Sequence, residues 1–250
     1  MMKRIDAPTA ILTDIHGNTL ALEAVLKDAS ERGIRHYLNL GDIFYGPLDP
    51  KGTWDILRSH PMPTILGNQD RILLEAGPDA SSHILAVRDA IGEEGLHWLG
   101  SLPTTLALGN AFLCHGTPHD DTAYLLEDVS SGSPQRRPCT DIDQDLQDVP
   151  TECSLILTGH SHFPGQARCS DRTIVNPGSV GLPAYADDTP PHAMAAGSPH
   201  ARYCIVSPAE REWHIEWIDV AYDWDAAAAQ ARQNGREDWA EWLKTGTAQS

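Results

Sequence analysis

Tyr37-Leu38-Asn39-Leu40-Gly41-Asp42 is a short, mostly apolar run that ends in a glycine and then an acid. The apolar residues predict a buried strand, and the Gly-Asp pair predicts a carboxylate emerging from a sheet into open space. A structural acid in the core would want an arginine nearby; Ile43, Phe44, Tyr45 and Gly46 follow instead. One such acid would pass for a turn residue. The design, however, occurs five times. Ala10-Ile11-Leu12-Thr13 leads into Asp14-Ile15-His16, and Thr64-Ile65-Leu66 into Gly67-Asn68-Gln69-Asp70. Ala111-Phe112-Leu113-Cys114 leads into His115, and Leu155-Ile156-Leu157 into Thr158-Gly159-His160-Ser161-His162. On a strand or its extension, positions i and i+2 face one side, so Asp14 is expected to point with His16, and His160 with His162.

Between these runs the pattern turns helical. Leu22, Val25, Leu26 and Ala29 recur at helical spacing with Gly33 as a stop, which predicts a crossover helix over 19–32. Pro50 opens a second helix to about Ser59, and 83–99 reads as a third, weakened by Gly92 and Gly95. A hairpin is expected at 105–114, an exposed loop over the Ser/Pro/Gly-rich 129–140, and a short helix over 141–149. Thereafter 166–169, 173–176, 202–206 and 213–220 partly alternate, the pattern of an antiparallel second sheet half. The polar insertion Pro183 to His200 interrupts them; so long a segment is either functional or a plain exposed loop. Helices at 224–233 and 237–244 close the chain, with Trp239, Trp242 and Leu243 facing inward. The whole reads as one α/β domain over 1–250.

The chain has 250 residues and a formal net charge of -17, which opposes attraction to a nucleic-acid polymer or an anionic membrane. The first apolar run starts too early for a signal peptide, and no stretch is long and apolar enough to span a bilayer. Cys114, Cys139, Cys153, Cys169 and Cys204 are scattered, odd in number and form no C-x-x-C pair. That suits a reducing cytoplasm and excludes a zinc ribbon.

In open α/β sheets the carboxyl ends of strands converge on one edge, so Asp14, His16, Asp42, Asn68, His115, His160 and His162 are expected in one cleft. Carboxylates, imidazoles and one carboxamide suit Mn foremost, or Fe or Zn, over Ca or Mg. Seven ligands exceed one catalytic metal but serve two that share a carboxylate, for which Asp42 is the natural bridge. The remaining histidines, His36, His60, His83, His97, His119, His192, His200 and His214, are read as ordinary surface or core residues. Cys114 is read as a buried strand residue and the tryptophans as core.

In order, Asp14-x-His16, Gly41-Asp42, Gly67-Asn68-x-Asp70, His115 and Gly159-His160-Ser161-His162 resemble the signature of the calcineurin-like metallophosphoesterases. The Asn176-Pro177-Gly178-Ser179-Val180-Gly181 loop resembles the small bacterial phosphodiesterase branch. The resemblance implies a four-layer α-β-β-α sandwich. It also implies one divalent metal on Asp14, His16, Asp42 and His162, a second on Asp42, Asn68, His115 and His160, and hydrolysis of phosphate esters by in-line attack. Asp42, Asn68 and Gln69 then lie nearest the chemistry. Many relatives carry a histidine where this chain has Gln69, and Gln cannot transfer a proton to a leaving group. His119 is the candidate to stand in as that acid. A small phosphorylated substrate is expected, either a diester or a nucleotide phosphoanhydride such as a diadenosine polyphosphate. The alternatives are a metal- and phospholigand-binding sensor and, more weakly, a protein phosphatase.

Overall fold

The apolar runs are continuous because their strands are covered on both faces, as seen in a computed structural model that describes residues 2–210 and 212–249. β1 (Thr9–Leu12), α1 (Thr19–Glu31) and β2 (His36–Asn39) make a parallel crossover unit, with Thr9 opposite His36 and Leu12 opposite Asn39. Asn18 caps α1, and α2 (Pro50–Ser59) begins at its proline with the Asp49 side chain accepting from the Gly52 N–H. The third apolar run does not form a strand. Thr64 keeps a single bridge to Asn39, and the chain then enters α3 (Asn68–Glu75). Pro61 and Pro63 lack the N–H groups a ladder needs, and the Leu66 N–H turns to the Pro103 carbonyl instead. α4 (Ser82–Gly100) is interrupted at Gly92, where φ is 65°.

β3 (Thr105–Leu108) and β4 (Ala111–Cys114) form the expected hairpin. β5 (Glu127–Asp128), just before the segment read as an exposed loop, pairs with β6 (Gln135–Arg136) inside it, and α5 (Cys139–Asp145) begins ahead of the predicted Asp141. β7 (Leu155–Leu157), β8 (Gly165–Cys169) and β9 (Arg172–Asn176) follow, then the hairpin of β10 (Ala184–Asp188) and β11 (Pro191–Ala195). β12 (Ala201–Pro208), β13 (Trp213–Val220), α6 (Trp224–Gln233) and α7 (Glu237–Thr245) complete the chain.

The late strands do not build a sheet of their own. β12 and β13 extend the first sheet in the order β13-β12-β1-β2, while β8 and β9 join the second in the order β3-β4-β7-β9-β8. β9 lies parallel to β7, against the expectation of an antiparallel half. Alternation marks which face of a strand is buried but is silent on which sheet receives it.

Four layers result. Ile11, Leu38 and Leu40 of the first sheet meet Leu113, Leu155, Leu157 and Val175 of the second. Their neighbours in sequence point the other way: Ala10 and Leu12 pack on α1, α2 and α4, while Phe112, Cys114, Ile156 and Ile174 pack around Ile142 and Leu146. α6 and α7 seat Ala227, Ala231, Trp239 and Leu243 against Leu48 and Leu182. Cys139 and Cys169 are bonded to each other, a pairing between sequence-distant residues that spacing alone does not reveal and that weakens the cysteine argument for a reducing compartment. Cys114, Cys153 and Cys204 are free and buried. Among the described residues no helix is long and apolar enough to cross a membrane.

Candidate metal centre

Beyond the last ladder residues of β1 and β2 the two chains stay paired, the Asp14 N–H donating to the Gly41 carbonyl and the His16 N–H to that of Asp42, each at 3.0 Å. Six non-glycine residues among those described have positive φ, and five of them are Asp14, His16, Asp42, His160 and His162, at 53° to 65°. Strand alternation therefore does not aim these side chains, contrary to the expectation for Asp14 with His16 and His160 with His162. They lie past the strand ends in left-handed backbone, a conformation L-residues adopt only under constraint. The constraint is visible in the glycines: a Cβ on Gly41 would strike Gly67, and one on Gly181 would strike the Ile15 carbonyl. The 176–181 loop can thus seat under Asp14, whose carbonyl accepts from the Gly181 N–H and, at 2.8 Å, from the Ser179 hydroxyl.

All seven predicted side chains meet. His16 Nε2 lies 3.1 Å from His162 Nε2, which is 3.4 Å from Asp14 Oδ1. Asp42 Oδ2 is 3.9 Å from His16 Nε2 and 3.4 Å from His115 Nε2, and the latter is 3.0 Å from Asn68 Oδ1. Two candidate metal-binding groups stand out, Asp14 with His16 and His162, and Asp42 with His115 and His160. Asp42 Oδ2 lies between them.

Backbone carbonyls can only accept, so they assign the imidazole hydrogens. His16, His115 and His162 donate from Nδ1 to the carbonyls of Tyr45, Leu40 and Leu182 at 2.8, 2.8 and 2.7 Å, which turns each Nε2 toward the centre. His160 is reversed. Its Nε2 donates to the Thr122 carbonyl at 2.9 Å and its Nδ1 keeps the lone pair.

These assignments make lone pairs face lone pairs, and among the described residues neither oxygen of the fully buried Asp14 has a hydrogen-bond partner. Burial would raise both acids, but the neighbouring imidazoles outweigh it, His162 holding Asp14 and His115 holding Asp42 below the ordinary carboxylate range. Burial drives His16 and His160 down to about 4, whereas at His115 the Asp42 and Asp14 charges overcome burial and raise it to about 10, so without a cation His115 keeps a proton on Nε2 that a bound metal would replace. Among the described residues no Lys or Arg pairs with these two buried carboxylates, one imidazolium does not balance both, and divalent cations on this N/O donor set fit.

Gln69 donates its backbone N–H to Asp42 Oδ1 at 2.8 Å. Asp70 is buried and fully occupied, accepting from the N–H groups of Asp42, Ile43 and Gly67 at 2.8, 3.0 and 3.1 Å. His119 belongs to neither group of candidate ligands: its side chain is largely exposed and its Nε2 lies 3.5 Å from Asp148.

Sequence reasoning missed the residues that cover the centre. Tyr124 stacks on His160 with ring centroids 4.9 Å apart, and Tyr185 meets His162 edge-on at 4.7 Å. The two hydroxyls are 2.7 Å apart, and Tyr124 Oη is 2.8 Å from Nε2 of the buried His192, one of the histidines read as ordinary. Tyr185 and His192 belong to the β10–β11 hairpin, so the 183–200 insertion folds toward the centre; its length and its prolines were the available signal. Trp239, read as core, is buried but also presents its edge to His16 at 5.6 Å.

The sequence profile of the calcineurin-like phosphoesterase superfamily domain matches residues 8–196. An uncharacterised protein of Methanocaldococcus jannaschii is 27% identical over 259 aligned positions, covering 92% of this chain and 94% of that one. A metallophosphoesterase from Sphaerobacter thermophilus superposes with a TM-score of 0.75 at 24% identity, covering 96% and 99% of the two chains. A hypothetical protein from Pyrococcus horikoshii OT3 gives 0.72 at 21% identity, covering 96% and 98%.

Proposed function

The chain belongs to the calcineurin-like phosphoesterase superfamily, and on that premise we propose that it is a dinuclear-metal hydrolase of small phosphodiesters or nucleotide phosphoanhydrides, diadenosine polyphosphates included. The observation that carries the reading is the single oxygen Asp42 Oδ2, set between two groups of buried N and O donor atoms with no Lys or Arg paired to them among the described residues. Asp14, His16, Asp42 and His162 would hold one ion, and Asp42, Asn68, His115 and His160 the other, with Mn foremost and Fe or Zn as alternatives. When bound, two such cations supply electrophilic charge to the phosphoryl oxygens.

The chain's own residues do the rest. The backbone carbonyls of Tyr45, Leu40, Leu182 and Thr122 fix the four imidazoles, and the Gln69 N–H fixes Asp42. Gln69 can donate a hydrogen bond but cannot give up a proton, which supports substrates whose leaving groups need none. The arginines flanking the centre are already paired, Arg71 with Asp121 and Arg236 with Asp238. With a net charge of -17, that supports a small substrate over a nucleic-acid polymer or an anionic membrane. The compartment we propose is the cytoplasm.

The test is metal analysis and turnover of bis(4-nitrophenyl) phosphate after reconstitution with Mn. The expected result is two ions per chain, chelator-sensitive hydrolysis, near-complete loss in Asp42→Ala, and retention in Cys114→Ala. One ion or none, or equal loss in Cys114→Ala, would overturn the ligand assignment. Gln69 favours a second reading, a sensor that binds metals and phospholigand without turnover. Two bound ions with no hydrolysis of any diester would select it.

A further inference from the structure

His160 is held differently from the other three imidazoles. It donates from Nε2 rather than Nδ1, and the carbonyl it reaches, that of Thr122, lies in the loop between β4 and β5. The loop is braced locally: Asp120 Oδ1 accepts from the Thr122 N–H at 2.8 Å and from its hydroxyl at 2.7 Å, and the Thr117 N–H closes a turn onto the Asp120 carbonyl. Past Thr122 the loop is tied by the Tyr124 hydroxyl to Tyr185 and His192, and ahead of it by a side-chain fork to α3. Arg71 Nε and Nη2 donate to the two oxygens of Asp121 at 2.7 and 2.8 Å. Two parallel charge-assisted bonds fix direction as well as distance. Arg71 lies one turn beyond Asn68 on α3. The pair therefore joins the helix that presents Asn68 to the loop whose carbonyl orients His160, and both residues belong to the same half of the centre. His16 and His162 take their carbonyls from Tyr45 and Leu182, neither of which the pair touches.

Resting on the dinuclear reading, we infer that the Arg71–Asp121 pair is a positioning device for His160 that sets the affinity of one metal position and leaves the other alone. Neither residue touches the ligand atoms; the effect passes through the Thr122 carbonyl. The pair is only partly buried, 36% and 21% exposed at the two side chains, so it holds the loop less firmly than the core holds the other carbonyls.

Calorimetric titration of chelated protein with Mn tests this in the parent, Arg71→Gln, Asp121→Ala and the double variant. The first ion should bind within about twofold of the parent, and the second about 10- to 100-fold more weakly, the usual effect of losing a group that orients a ligand. The double variant should be no worse than either single, because both remove one contact. Equal weakening of both ions, or no change in either, would overturn the inference. A second measurement needs no metal: ¹⁵N NMR of the histidines should show His160 protonated at Nε2 in the parent and as a tautomer mixture in Arg71→Gln. A parent His160 protonated at Nδ1, or a tautomer unaffected in Arg71→Gln, would sink the positioning role. A parent that binds only one ion defeats the dinuclear reading instead, and the tautomer measurement then decides the positioning role by itself.

Discussion

Asp14, His16, Asp42, His160 and His162 all sit in left-handed backbone, which costs on the order of 1–2 kcal/mol for each residue that carries a Cβ. Five such residues at one place persist because the loops around them are over-determined by backbone pairing and by glycine contacts. Residue 69 is where the chain departs from many relatives, and its consequence is testable. General acid assistance is worth roughly 10²- to 10⁴-fold, mostly for strongly basic leaving groups. Aryl diesters and anhydrides should therefore be cleaved far better than alkyl monoesters, and rates should depend steeply on leaving-group pKa. Gln69→His should narrow the gap only in part, because both Asp70 oxygens are committed to the backbone and cannot orient the new imidazole. A flat dependence on leaving-group pKa, measured where chemistry limits the rate, would remove the premise that acid assistance is missing.

At the scale of elements, the β10–β11 hairpin turns an insertion into part of the site. Tyr185 and His192 reach the Tyr124 hydroxyl, and the rings of Tyr124 and Tyr185 lie against His160 and His162. The hairpin leaves Leu182, whose carbonyl orients His162, outside its own span. Replacing residues 186–193 with a tight turn should therefore leave two ions bound while changing KM or the order of preferred substrates. Tyr185→Phe, which deletes one hydroxyl, should shift KM by about 2- to 10-fold, the range expected for a single hydrogen bond. Unaltered kinetics across several esters of different size would show that the hairpin is only a cover.

Seen as a whole, the centre spans the sandwich: Asp14, His16 and Asp42 follow strands of one sheet, and His115, His160 and His162 follow strands of the other. Metal binding should thus act as a clamp between the two sheets. Each ion at 100 times its Kd contributes about 2.7 kcal/mol to the folded state. For a chain of this size about 1 kcal/mol moves Tm by roughly 2–4 °C, so saturation should raise Tm by about 10–20 °C over chelated protein. Thermal melts with and without Mn check this, and a shift within about 2 °C would mean that the ions do not bridge the layers as argued.

Read by itself, the sequence supplied the seven side chains that meet at the centre, six of them just past strands, and through the resemblance of its motifs the family and its four-layer class. Buried strands need unbroken apolar runs, and the groups after those runs are the chemistry. Leu113 and Phe112 even point to opposite layers as strand alternation requires. Tertiary structure alone decided the rest. The partition of β8, β9, β12 and β13 between two sheets, the Cys139–Cys169 bond and the seating of His192 beside Tyr124 all join residues far apart in the chain. So does the left-handed backbone that aims Asp14 and His160, because its cost is met by contacts from loops that local sequence does not encode. Period-2 and period-3.6 patterns report which side of an element is buried; what lies against that side is settled only when the whole chain closes.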